Sequence, residues 1–317
     1  MLVNRSSHLG KALTQIENHE LVTNDVLTKD ATEAIQGAIV EVVEYRLNGI
    51  NDLINSGVSF DLEGGIGTVT SSWEQQSTMT EAQRVMDPRS LAVKDRLTFS
   101  NVDVKVPIAA HQWEIGIRTL RSAQKENLPI LARHSNLASR KVSEDFEKLL
   151  FQGDSELGIA GYTTAVARNE VTTATSWATA ANTAITNDIG TGLELLYDDG
   201  FEGPYDMYIS FDIWANMWKD YSANKGDNTL LDRILQMPGI RSVKPTRFLP
   251  NGASILVQIT PDVVDLAIGM DIQNIPLVDN GLVIENYVMG SMVPRIKYTM
   301  GTGTNASRQS GICHFHI

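Results

Sequence analysis

The chain has 317 residues, 42% of them hydrophobic and 20% charged, which suits one large domain or two ordinary ones with a sizeable core. A formal charge of -12 sets the molecule as a whole against nucleic acid and anionic membrane, and no apolar run approaches the ~18 residues of a membrane-spanning helix. The single cysteine, Cys313, excludes an internal disulfide framework and a Cys-rich metal site, and Met1 opens no basic-then-apolar leader.

The first ~25 residues are polar and without period, as in an arm that orders against a partner. Thr28 is a candidate N-cap with Asp30 and Glu33 in the first turn, and Ile35, Ile39, Val42, Val43, Leu47 and Ile50 follow at helical spacing. This predicts a helix over 29–55, ended by Ser56-Gly57. A short strand follows at Val58–Leu62, broken by Gly64, Gly65 and Gly67. From Thr68 to about Ile117 the chain is long, first polar, then alternating through Leu97, Phe99, Val102, Val104 and Val106, with Arg84, Arg89, Lys94 and Arg96 clustered between. This predicts an extended β-hairpin with a charged tip, which is marginal alone in water and needs another surface to lie on.

Leu128-Pro129 opens a long helix to about Gln152, with Leu131, Ala138, Val142, Phe146 and Leu149 on one stripe and Gly153 as its stop. A Thr-, Ala- and Gly-rich stretch leads to a helix over about 184–199, the turn Asp199-Gly200-Phe201-Glu202-Gly203-Pro204-Tyr205, and a buried strand at Met207–Phe211. Asp212 is the expected cap of a helix whose Trp214, Met217 and Trp218 face a core. A short helix at Leu230–Met237 precedes strands at Ser254–Val257, Val264–Ile268, Leu282–Met289, Val293–Tyr298 and Ile312–Ile317.

Motifs of chemistry are sparse. Gly301-Thr-Gly303-Thr-Asn-Ala306 has the letters of a dinucleotide fingerprint but precedes a strand-like segment, so it reads as a loop between antiparallel strands. His314 and His316 share a strand face and offer two metal ligands, but no third lies nearby in sequence, so they read as one polar face of a terminal strand. No catalytic residue, metal or cofactor is expected. Residues 1–83 hold twelve acids and four bases, 84–105 three acids and five bases, and 186–240 ten acids and three bases. The basic hairpin between acidic flanks reads as complementary surfaces for self-association, because its bases alternate with acids and lack interleaved aromatics.

The order of elements, together with Glu147-Lys-Leu-Leu-Phe151-Gln-Gly153-Asp154, Gly158-Ile-Ala-Gly161 and above all Asp199-Gly200-Phe201-Glu202-Gly203-Pro204-Tyr205, resembles the tailed-bacteriophage major capsid fold shared with encapsulin shell proteins. Encapsulins carry a similar D-G-apolar-E-G-P-Y turn before a strand. The resemblance implies an α+β fold with an N-terminal arm (1–28), a helix and first strand (29–67) and an extended β-hairpin loop (68–117). It further implies a peripheral domain with a spine helix (118–183), an axial domain (184–275) and C-terminal strands returning to the peripheral domain (276–317). Arg84, Arg89, Lys94 and Arg96 are then expected at inter-subunit contacts, and Gly200, Glu202, Gly203 and Pro204 in the axial-domain turn.

The implied function is a non-enzymatic shell protein assembling with itself as hexamers and pentamers around double-stranded DNA, in a virion built in the bacterial cytoplasm. Portal, scaffolding or decoration proteins are further partners, and no membrane is involved. An encapsulin compartment enclosing a cargo enzyme is the alternative, and an acidic α/β enzyme a remote one. The Lys-to-Asn crosslink of some phage shells has candidates in Lys94 with Asn274, Asn280 or Asn286, but no catalytic Glu is assignable, so none is expected.

Overall fold

In the computed structural model the described residues are 48–77, 79, 84, 86, 96–126, 128–221, 228–276, 282–300 and 308–317. The expected arm, residues 29–47 of the expected first helix, Arg89, Lys94 and Asn280 lie outside them, as does the glycine motif at 301–306.

Helix α1 (Asn48–Asn55) ends at Gly57, and β1 (Ser59–Asp61) follows. A 3-10 turn at Gly65–Gly67 leads to β2 (Thr70–Gln76), which pairs antiparallel with β3 (Phe99–Lys105). The later part of the 68–117 segment forms β4 (Ile108–Gly116), in a different sheet from the β2–β3 ribbon. Helix α2 (Ile117–Lys125) precedes α3 (Ile130–Gln152), the long helix that Pro129 and Gly153 delimit in the sequence. Next come β5 (Gly153–Asp154), β6 (Ile159–Ala160), β7 (Asn169–Thr172), α4 (Asn182–Asp198), β8 (Tyr205–Ser210), α5 (Phe211–Met217) and α6 (Leu230–Leu235). The chain continues through β9 (Ile240–Thr246), β10 (Ser254–Gln258), β11 (Val264–Pro276), β12 (Val283–Ile296), β13 (Thr299–Met300), β14 (Arg308–Gln309) and β15 (Ile312–His316).

Three local expectations are corrected. Ser210, not Asp212, holds the N-cap position of α5; Asp212 lies in the first turn and its Oδ2 accepts the Gly252 N–H at 2.8 Å. Trp218 follows the last helical residue and stands 58% exposed, edge-on to Trp214, so it is not on the core face. The two strands expected at Leu282–Met289 and Val293–Tyr298 are one strand, β12. Its burial alternates as far as Gly290 and is then continuous to Arg295, so the period-2 signal fades where both faces are covered.

The described residues form two compact units. One combines Ile108–Asp145 with Asp271–Gly290, and the other Asn48–Pro107, Phe146–Met270 and Ser291–Ile317. In the first unit Trp113 is buried with its ring 5.6 Å from that of His134, and Gln112 donates to Glu285 Oε2 and accepts from the Tyr287 hydroxyl.

The second unit is built on a five-stranded sheet ordered β7-β15-β10-β8-β9. The β7–β15 and β8–β9 pairs are parallel, and β10 runs antiparallel to both β15 and β8. Period-2 alternation sends Tyr205, Met207, Ile209, Leu256 and Phe315 to one face, where they meet Ile185, Ile189, Leu193 and Leu196 of α4 in one hydrophobic cluster with Ile213 and Met217 of α5 and Leu230 and Ile234 of α6. Each buried aliphatic side chain there contributes about 1.5–3 kcal/mol. Tyr208 meets Phe151 and Tyr162 in an aromatic cluster, and its hydroxyl donates to Asp52 Oδ2 at 2.6 Å.

Gly49 permits close approach between α1 and α3: a Cβ there would stand 2.8 Å from Leu150 Cδ2. Through that approach the buried carboxylate of Glu147 accepts the N–H groups of Gly49 at 2.7 Å and Ile50 at 3.4 Å. Burial outweighs both hydrogen bonds and pushes the Glu147 carboxyl up to about 7. A carboxyl that binds its proton more tightly when folded adds stability in full below its ordinary value near 4.5, and that contribution disappears as pH rises through about 7. At ~1.4 kcal/mol per pH unit, this amounts to roughly 3 kcal/mol. Urea unfolding at pH 5 and pH 8 should therefore show the wild type losing about 2–3 kcal/mol more than Glu147→Gln; equal losses in the two proteins would refute the assignment.

Candidate functional site

The β2–β3 ribbon runs in unbroken register from Thr70 opposite Lys105 to Gln76 opposite Phe99, and Ser77 extends the pairing to Thr98. A two-stranded ribbon buries too little to hold itself in water. Its outward side chains underline this: Val69 is 73% and Phe99 61% exposed, and Met79 and Met86 are also exposed. Arg84 and Arg96 are exposed on the same excursion, where the charge pattern places bases.

What holds the ribbon is its root. Arg295, on β12, is buried and forms two parallel bonds to Asp265 on β11, Nε to Oδ1 and Nη2 to Oδ2, both 2.6 Å. Its Nη1 donates to Ser71 Oγ at 3.2 Å and Ser72 O at 3.3 Å, both on β2. The guanidinium also lies 4.2 Å from the Phe60 ring centroid and 5.4 Å from that of Trp73. Lys297 adds a second cation on Asp265 Oδ2 at 2.6 Å. The Gln75 amide, at the far end of β2, donates to Tyr298 O, and Ser291 donates to Pro107 O at 3.1 Å just beyond β3, so the ribbon is held at both ends of its paired strands.

The glycine–proline turn is built with comparable economy. Asp199 caps α4, Gly200 follows with φ 85°, and the N–H groups of Phe201 and Gly200 return to Leu196 O and Tyr197 O. This is a Schellman ending, which needs the left-handed residue that glycine supplies. Gly203, with φ 83°, donates to Gln258 Oε1 at 3.0 Å, and the cis Gly203–Pro204 bond leads into Tyr205, whose N–H meets Gly239 O at 2.7 Å. Tyr205 is buried and its hydroxyl returns to Phe201 O. Glu202 and Pro204 stand exposed, so the turn presents a carboxylate on a fixed backbone.

Parallel pairing of β7 with β15 sets His314 opposite Glu170, and potential ligand atoms of Glu170, His314 and His316 lie within 4.8 Å of one another. Burial, helped by Arg168, lowers the His314 imidazole to about 4, so it is neutral at pH 7. Cys313 alternates to the other face of β15, where burial pushes its thiol up to about 12 and keeps it a thiol. Asn274 and Asn286 face each other at 3.4 Å, while Lys94 and Asn280 lie outside the described residues.

Sequence reasoning missed Arg295, Asp265, Glu147 and Glu170. The first two sit in alternating strands where a charge reads as solvent-facing; an inward charge on a strand otherwise buried on both faces is the only signal they give.

A family model described as a family of unknown function (DUF6260) matches residues 23–293. No curated protein matches the chain. Among solved structures, the virus-like particle from Pyrococcus furiosus is 16% identical with a TM-score of 0.61, covering 89% of this chain and 98% of that one. The capsid of Myoviridae phage XM1 is 11% identical with a TM-score of 0.56, covering 83% and 90%. The capsid of the native GTA particle is 11% identical with a TM-score of 0.59, covering 81% and 86%. The chain thus has the α+β tailed-phage major capsid fold that the turn and the long helix suggest.

Removing one partner of a buried, hydrogen-bonded ion pair costs ~3–5 kcal/mol, whereas a cation that keeps contact with water, as the half-buried Lys297 does, contributes ~1 kcal/mol or less. Arg295→Ala should lose about 3 kcal/mol in urea unfolding of the unassembled chain and should open β2 and β3 to limited proteolysis, while Lys297→Ala should lose about 1 kcal/mol or less. Equal losses in the two variants, or a protease-resistant ribbon in Arg295→Ala, would show that the root is held some other way.

Proposed function

The chain belongs to the family of unknown function DUF6260, and from its fold and its ribbon we propose that it is a shell protein, the major capsid protein of a tailed-bacteriophage-like particle. The observation that carries this reading is the ribbon: an antiparallel pair held on one side by Arg295 and Tyr298, with exposed apolar and basic residues on the other. A neighbouring copy supplies the missing surface, so one chain's ribbon lies over the next and the contact repeats around hexamers and pentamers. Such a protein does structural work without catalysis.

In this reading α3 is the spine of a peripheral domain spanning 118–183, residues 184–275 make the axial domain, and 276–317 return to the peripheral domain. The turn at Gly200, Glu202, Gly203 and Pro204 lies near the rotation axis, where a fixed backbone suits a contact repeated among several copies. Arg84, Arg89, Lys94 and Arg96 steer the ribbon onto the acidic flank of its neighbour. A net charge of -12 fits a wall that confines double-stranded DNA without adhering to it. Portal, scaffolding or decoration proteins would be the heterologous partners, and the virion, assembled in host cytoplasm, the place of action. Among the described residues no helix is long and apolar enough to cross a membrane.

A second reading, a nanocompartment shell around a cargo enzyme, is favoured by the glycine–proline turn and by the likeness to the Pyrococcus furiosus particle over 98% of that chain. Terminase and portal genes beside this one would support the capsid, and a ferritin-like or peroxidase neighbour with a docking tail the compartment.

Expression of the chain should give megadalton particles by size exclusion and electron microscopy; a discrete small oligomer with a ligand-sized site would overturn the shell reading in favour of an enzyme. Reversing charge at Arg89 and Arg96 to glutamate should reduce particle yield by at least about tenfold and leave the far-ultraviolet dichroism of the monomer unchanged, because like charges at a contact cost several kcal/mol. Normal yield would remove the proposed role of the ribbon bases.

A further inference from the structure

We propose that Glu170, His314 and His316 form a binding site for a divalent transition-metal ion of the zinc type. Two imidazoles and one carboxylate on adjacent strands are a donor set suited to zinc, cobalt or nickel, with positions left for water. The three potential ligand atoms lie within 4.8 Å of one another. The centre of a triangle with that side is ~2.8 Å from each corner, so each atom moves inward by no more than about 0.7 Å to reach the ~2.1 Å of a zinc bond.

An independent observation points to a ligand. His314 is only 8% exposed, yet neither ring nitrogen has a hydrogen-bond partner. Buried polar atoms are nearly always paired, and an imidazole with both nitrogens unsatisfied costs free energy that a metal bond would recover. The neighbouring groups match this role. His316 Nδ1 lies 3.3 Å from Ile317 O, and donating that proton leaves Nε2 with a lone pair for a metal. Arg168 donates to Glu170 Oε1 and to Ala165 O, which holds the carboxylate in place while it still has lone pairs to offer a metal. Cys313 takes no part, being turned to the other face of its strand.

The consequence is mechanical. Strand β7 is four residues long and lies at the edge of the sheet, next to β15. An ion held by Glu170 from β7 and both histidines from β15 would clip that edge to the sheet. Binding would then raise the melting temperature with metal concentration, as for any ligand that prefers the folded state.

The test uses Co2+ as a spectroscopic probe and Zn2+ as its competitor on the purified full chain. One Co2+ per chain should bind with visible d–d bands, and Zn2+ should displace it. Glu170→Gln and His316→Ala, both at residues that are not fully buried, should weaken Co2+ binding by at least about tenfold, because even outer-shell changes at metal sites cost 10–100-fold. The double variant His111→Ala, His134→Ala should bind as the wild type does, separating this site from adventitious histidine binding. Unchanged affinity in Glu170→Gln and His316→Ala, or wild-type binding that disappears with His111 and His134, would overturn the proposal. The outcome is independent of whether the chain forms particles.

Discussion

The ribbon's place in this molecule rests on one buried ion pair, Arg295 with Asp265. Taking both charges out of water costs several kcal/mol each, and attraction recovers this only when geometry is good and the remaining donors are satisfied. Both conditions hold: the pair is bidentate, and Ser71 and Ser72 take the third guanidinium nitrogen. An apolar cluster of similar volume would give comparable stability, so stability alone does not explain the choice. A planar guanidinium with five donors in fixed directions specifies which strands meet and in what register. Here it gathers β2, β11 and β12 and lies on a ring from β1, and the ribbon leaves this root with its base already oriented.

Glu147 meets the same cost of burial with different partners. It is as buried as Arg295 and Asp265, but its partners are two backbone N–H groups rather than a guanidinium. Two neutral donors do not offset the loss of hydration, so its proton is held more tightly than usual. A buried carboxyl met only by backbone dipoles in this unit thus tends to neutralise. The Tyr162 hydroxyl in the same region has no hydrogen-bond partner, and burial pushes its acidity down as well.

Much of the architecture was legible because its signals are local. Pro129 and Gly153 bracket α3, the glycines and proline of 199–205 announce their turn, and alternation marks β3 and β15. What escaped depends on partners distant in sequence. Strand β9 carries Arg241, Lys244 and Pro245 and looks like a loop until its parallel pairing with β8 is seen. Its charges are held by Asp206 and Asp52, which no spacing rule reveals. Glu170 lies 144 positions before His314 yet pairs with it directly, because a parallel neighbour joins segments of any separation. The missing third ligand of the histidine pair was therefore a topological fact.

The sheet edges differ in how far they are protected. An edge strand exposes unpaired backbone groups and invites pairing with another chain unless it is short, charged or interrupted by proline. Both edges of the five-stranded sheet have such protection: β7 is four residues long and bears Glu170, and β9 carries Pro245 among its bases. The ribbon carries Glu74, Asp103 and Lys105 but no proline on its strands. Among the described residues β2 and β3 pair only with each other, which leaves each an open edge beside exposed Phe99 and Val69. The edges of the five-stranded sheet are thus blunted where those of the ribbon are open, and the contact proposed between copies would use the open ones. Anchoring the ribbon by Arg295 rather than by bulk apolar burial fixes its orientation, which the proposed repetition of one contact between copies would require.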